Sequence, residues 1–361
     1  DNGKNSTVEF HPRPDGAAVF PVPDSLGENK GGWVYVSNSE IIDTPTPHLG
    51  GVGAVHFDKD GKVIKYERLL GNTTANCGGG KTPWGTWVSC EEVPYIGQIY
   101  QVDPFNRRPP EIVTVSKMQG GRYEAFAYDD RNKSRPHFYF TEDQPNGPLR
   151  RWTPDPSAID WNNNPWNILH GNGTLDYMLL FPSETKNNTG TYNFTSNVNE
   201  ARRNSDVTYP SSEGIDRKNN FLYMTCKKEK FLYIMDLDSN KYVRYSTMYG
   251  LFEGEPDQVT RILNDDEDIL YFNEDLGNIS GIHARNDVGE FFTILEGTNW
   301  TNEATGLSFS PSGYHMYLCF QEAGVMFEIT REDKYPFQAE TLDIKYHNQA
   351  VNSLWGRRRF R

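Results

Sequence analysis

Apolar residues along this chain come in short aromatic and β-branched runs, and each run ends in a polar, mostly acidic tip. Trp33-Val34-Tyr35-Val36 leads into Ser37-Asn38-Ser39-Glu40, and Gly85-Thr86-Trp87-Val88 into Ser89-Cys90-Glu91-Glu92. The form recurs in His137-Phe138-Tyr139-Phe140-Thr141-Glu142-Asp143 and in Phe221-Leu222-Tyr223-Met224-Thr225-Cys226. It returns in Leu270-Tyr271-Phe272-Asn273-Glu274-Asp275 and in Met316-Tyr317-Leu318-Cys319-Phe320-Gln321-Glu322. A second strand candidate follows most copies, at 98–102, 149–152, 231–235, 279–283 and 325–329, after turn residues such as Gln144-Pro145-Asn146-Gly147. Strand-rich units repeating at about 50 residues predict radial repetition. The expected fold is all-β, a six-bladed β-propeller.

One interval between copies is longer. It predicts a loop-rich insertion at 155–206, between the third and fourth blades, holding a single helix candidate at 198–204. The expected organisation is an N-terminal extended wrap over 1–32, the propeller over 33–345 and a C-terminal tail over 346–361.

Composition agrees with this pattern. The 20 Tyr, 20 Phe and 8 Trp, with 32 Gly and 22 Pro spread along the length, suit many short strands joined by turns. The net charge of −13 argues against nucleic acid and anionic membranes as partners and favours cations. Apolar runs such as Tyr177-Met178-Leu179-Leu180-Phe181 are too short to span a bilayer. N-glycosylation triplets begin at Asn5, Asn72, Asn132, Asn172, Asn187, Asn193, Asn278 and Asn299. With a first residue Asp1 rather than Met, as in a processed mature protein, they predict a secreted, extracellular or cell-surface glycoprotein carrying N-linked glycans. Cys77, Cys90, Cys226 and Cys319 are too few for a disulfide scaffold; they could form two bridges, or Cys77 could serve as a metal ligand.

The densest stretch is Asn76-Cys77-Gly78-Gly79-Gly80-Lys81-Thr82-Pro83-Trp84-Gly85-Thr86-Trp87-Val88-Ser89-Cys90-Glu91-Glu92, which brings glycines, a thiol and paired carboxylates together. If the aromatic strands are innermost, their tips crowd Glu40, Glu91, Glu92, Glu142, Asp143, Glu274 and Asp275 at one mouth of the channel. Like charges so packed repel, and Ca²⁺ is the ion that carboxylate oxygens suit. Glu124, Glu213, Asp257 and Glu303 precede other strand runs and are placed to join them.

These residues carry a resemblance. The stretch Asn76-to-Glu92, with Glu40, Gly121-Arg122-Tyr123-Glu124, Phe140-Thr141-Glu142-Asp143, Glu213-Gly214-Ile215 and Glu303-Ala304-Thr305-Gly306, resembles the PhoX-type alkaline phosphatase family, in its compact, functionally undefined branch. The resemblance implies a secreted propeller hydrolysing phosphate monoesters at a mixed iron (Fe³⁺) and calcium cluster. It assigns Cys77 and Glu92 to the metal site, with Glu124, Glu142, Glu213 and Glu303 as further ligands. Arg122 and Arg150 are candidates for contacting phosphate. Two departures stand out: Ser39-Glu40 replaces the His-Glu pair of many bacterial members, and Cys226-Lys227-Lys228 stands where an acid is expected.

Two other functions fit the same residues. One is a non-catalytic, calcium-binding glycoprotein of an extracellular matrix, able to self-associate. The other is a calcium-dependent lactonase or esterase, which rests on fold analogy. No serine-hydrolase elbow, P-loop or zincin helix is present.

Overall fold

The computed structural model describes residues 8–42, 49–248, 252, 254–261, 269–275, 280–286, 289–296, 303–337 and the backbone of 346–349. The architecture is all-β and propeller-like, with antiparallel sheets arranged around a common axis. Strands Pro14–Pro21, Asn76–Lys81, Tyr123–Asp129, Ser212–Lys218, Glu255–Thr260 and Ala304–Phe309 are successive neighbours in a closed ring around that axis. Each pairs outward with one aromatic strand: Trp33–Ser39, Trp87–Glu91, His137–Glu142, Phe221–Cys226, Leu270–Asp275 or His315–Phe320.

The aromatic strands are therefore second from the axis, not innermost as the pattern suggested. The reason is crowding. Inner strands meet their neighbours at close range, so Gly16, Gly78 and Gly214 replace side chains there, and a Cβ on Gly16 would lie 2.7 Å from the Gly78 Cα. Large side chains fit one strand further out, where both faces are covered; Trp33–Ser39 is buried at every position.

The cores lie between successive sheets. Val34, Val36 and Val52 of the first sheet pack with Trp87 and Val102 of the second. Val88 and Ile99 of the second pack with Phe138, Phe140 and Trp152 of the next. The circle closes where Trp33 Nε1 donates to Tyr317 Oη at 3.0 Å and Tyr35 Oη donates to the Gly306 carbonyl at 2.8 Å.

Several expectations change. The N-terminal segment is not an outer wrap, because Pro14–Pro21 is an inner strand. The 155–206 interval is less loop-rich than expected. It contains strands Gly173–Pro182 and Thr189–Thr195, which extend the third sheet outward. There Thr189–Thr195 pairs with Lys241–Ser246, fusing two fans of strands into a nine-stranded sheet. The helix in this interval runs Val198–Thr208, capped by the Asn197 side chain on the Asn199 and Glu200 amides, and it seats Ala201 on Tyr177 and Leu179. In the C-terminal region, Tyr346–Gln349 pairs with Glu290–Glu296. Asn5, Asn278, Asn299 and residues 350–361 lie outside the described residues. Among the described residues no helix is long and apolar enough to cross a membrane.

Candidate metal centre

The site is built by register. In five inner–outer pairs the same count recurs: Pro14↔Ser39 is followed by Ala17↔Ser37, and Asn76↔Glu91 by Gly79↔Ser89. Tyr123↔Glu142 leads to Phe126↔Phe140, Ser212↔Cys226 to Ile215↔Met224, and Pro256↔Glu274 to Val259↔Phe272. Each inner strand thus carries one extra residue, a bulge that re-aims the side chain at its start. That side chain is Asp15, Cys77, Glu124, Glu213 or Asp257. One residue past the outer partner stand Glu40, Glu92, Asp143, Lys227 and Asp275. In the pair of Ala304–Phe309 with His315–Phe320 the corresponding count falls on Gly306 and Phe320, which offer no ligand.

Three groups have ligand atoms within 4.8 Å of one another: Asp15, Glu40 and Cys77; Cys77, Glu92 and Glu124; and Glu124, Glu213 and Asp257. Both carboxylate oxygens of Glu124 and Oε1 of Glu213 are buried without a hydrogen-bond partner, although Lys227 Nζ is an ion-pair neighbour of Glu213 at 3.4 Å. Glu303 enters from the loop before its inner strand, and its carboxyl is pushed up by burial, then by Asp15 and Asp257.

Burial likewise raises the carboxyls of Glu40 to about 7 and of Glu92 and Asp257 to about 8. Arg13 opposes the shift at Glu40, Arg122 at Glu92 and Lys227 at Asp257. The Cys77 thiol is pushed up by burial first and then by Asp15 and Glu124. Multivalent cations would reverse this by stabilising the charged forms of all these groups.

The residues present fit such ions. Buried carboxylate oxygens with no donor are costly unless a cation or proton meets them. An all-oxygen set such as Glu124, Glu213 and Asp257 suits Ca²⁺, and the two sets sharing the Cys77 sulfur suit a transition metal.

Not every expected ligand reaches the centre. Glu91, Glu142 and Glu274 sit one residue before the tips, so the strand's alternation turns them aside. Glu91 accepts from the Thr74 and Gln98 amides at 3.1 and 2.8 Å. Glu142 accepts from Arg150 Nε at 2.5 Å. Glu274 accepts from the Gly254 amide at 2.5 Å and lies 3.2 Å from His283 Nε2. Arg150 is not placed to contact phosphate: its side chain is 1% exposed, stacked on Tyr123 and bonded to the Gln119 and Gly120 carbonyls. Arg122 does stand at the mouth, 33% exposed and paired with Glu92. Arg13, absent from the expected set, pairs with Glu40 from a similar position.

Asp15 was also missed. It accepts from Thr305 Oγ1 at 2.8 Å and Gln321 Nε2 at 3.1 Å. Its signal was the ligand-then-small-residue dipeptide that Asp15-Gly16 shares with Cys77-Gly78, Glu124-Ala125 and Glu213-Gly214. None of the four cysteines forms a disulfide; all are buried free thiols. Past the ring of ligands the inner strands line a cavity of about 250 Å³, with Lys81, Asp216, Gln258 and Arg261 among its lining residues.

A family model described as alkaline phosphatase PhoX matches residues 25–97. No curated protein matches the chain. Among solved structures, Pseudomonas fluorescens PhoX in complex with vanadate, a transition-state analogue, superposes with a TM-score of 0.68 at 15% identity, covering 91% of this chain and 90% of that one. A chain of a nidogen/laminin complex superposes with a TM-score of 0.51 at 10% identity, covering 84% and 92%. Residues 25–97 are thus similar in sequence to the alkaline phosphatase PhoX model, and the fold of nearly the whole chain is similar to that of Pseudomonas fluorescens PhoX.

Proposed function

We propose that this protein is a secreted, metal-dependent phosphatase-like propeller that hydrolyses phosphate monoesters at the central carboxylate and thiolate cluster. The observation that carries the reading is the linked set of ligand groups through Cys77 and Glu124, with both carboxylate oxygens of Glu124 buried and without a hydrogen-bond partner. Counting the nine-stranded sheet as two blades fused at their outer edges gives six blades, one for each inner strand.

Cys77, Glu92, Glu124, Asp15 and Glu40 would hold iron, and Glu124, Glu213 and Asp257, with Glu303 beside them, would hold calcium. When bound, such ions supply Lewis acidity and neutralise the charge of a phosphoryl group. Arg122 and Arg13 flank this centre with partly exposed guanidiniums. Each can turn from its carboxylate to a phosphate oxygen and orient the ester over the ring. Asp15, Cys77, Glu124, Glu213 and Asp257 are buried among the inner strands, which strengthens their electrostatic interactions.

The test is turnover of an aryl phosphate by the purified protein, with iron and calcium supplied and then removed by a chelator. Cys77→Ser should lose transition metal and at least tenfold in activity while retaining calcium. No turnover in the fully metallated protein would sink the reading.

A non-catalytic, calcium-binding extracellular propeller is the second reading. It draws on the fold shared with the nidogen/laminin complex chain and on the exposure of Asn72, Asn132, Asn172, Asn187 and Asn193, all open to N-linked glycans. Calcium without any transition metal in the native protein would favour it.

A further inference from the structure

The same register predicts how many cations the ring can take. Asp15, Glu40 and Cys77 are the inner ligand of one strand pair, its tip, and the inner ligand of the next pair. Cys77, Glu92 and Glu124 repeat that arrangement one step round the ring. Two steps further on, the corresponding residues are Glu213, Lys227 and Asp257. At this place the tip is an ammonium rather than a carboxylate.

The lysine is held where a cation would be. Its Nζ lies 2.9 Å from Asp275 Oδ2, 3.4 Å from Glu213 Oε1 and 3.9 Å from Asp143 Oδ2, and its side chain is only 17% exposed. Three of its neighbours thus come from three successive strand pairs, which is the bridging role that a divalent ion plays in such a cluster. Asp257 faces the same charge from the next inner strand. A buried lysine is costly alone, but here more than one carboxylate compensates it.

We propose that Lys227 is a built-in cation filling the fourth place in this series, so that the ring binds one divalent ion fewer than its repeat provides. The proposal rests on the reading of the ring as a metal centre. A fixed ammonium between Glu213 and Asp257 repels a divalent ion from that place, so bound metal is held by the groups that include Cys77 or Glu124. Lys227 also neutralises Asp143 and Asp275 before any metal arrives, so that side of the ring is assembled in the metal-free chain.

The experiment counts cations. The full chain and its Lys227→Gln variant are equilibrated with calcium, freed of unbound ion by gel filtration and measured by elemental analysis. The variant should carry one more calcium per chain than the wild type and melt below it once both are chelated. Equal counts in two calcium-binding proteins overturn the proposal while leaving the metal centre standing, and absence of calcium from both overturns the two together. If Lys227→Gln does not fold even with calcium, Asp275→Asn decides. It removes a carboxylate that the lysine neutralises, so it should keep the wild-type count, and loss of a cation overturns the proposal.

Discussion

A methyl group on Gly78 would lie 2.4 Å from the Glu124 carbonyl oxygen and 2.5 Å from its Oε1. The glycine is thus a clearance that lets the Cys77 and Glu124 strands meet closely enough to share one centre. Gly78→Ala must push Glu124 away or separate the inner strands, at a cost of about 1–3 kcal/mol. Gly71→Ala is the control, since nothing lies within 4 Å of its added Cβ, and it should fall within about 0.5 kcal/mol of wild type. Thermal unfolding of the chelated proteins measures both, and equal melting temperatures would contradict the clearance argument. At this scale the sequence was informative, because a thiol followed by three glycines is hard to explain as a plain turn. Asp15 was hidden because Arg13-Pro14-Asp15-Gly16 has the composition of a turn, although it opens an inner strand.

The aromatic outer strands were legible because they are buried on both faces and open on an apolar, aromatic run before their polar tips. Inner strands were not, since crowding at the axis replaces their large side chains with Gly and Ala, leaving sequences that look like loops. That displacement explains the shift among the expected ligands. In a strand, a step of one residue turns a side chain to the other face, so Glu92 reaches the centre while Glu91 serves the backbone. Glu142 makes the point energetically. It is 3% exposed and neutralises the buried Arg150 guanidinium at 2.5 Å. Glu142→Ala leaves that guanidinium uncompensated and should destabilise the fold by about 3–5 kcal/mol. The metal count per folded molecule should not change, and elemental analysis showing a lost ion would restore Glu142 to the ligand set.

For the molecule as a whole, the central ring makes stability depend on protons and metal together. Glu40, Glu92 and Asp257 have folded-state values of about 7, 8 and 8, raised mainly by burial. In the unfolded chain they return to roughly 4. Between these limits the folded state binds more protons than the unfolded one, so stability falls as pH rises. The contribution is complete below the unfolded values and is lost as pH passes through the folded ones. Chelated protein should therefore melt several degrees lower at pH 8 than at pH 5. Calcium should remove or reverse the difference, because it competes with protons for the same oxygens and binds better once they are gone. Differential scanning calorimetry across this range, with chelator and with calcium, measures the effect. A chelated protein more stable at pH 8 than at pH 5 would show that Arg13, Arg122 and Lys227 already neutralise the ring, leaving no need for metal to hold it together.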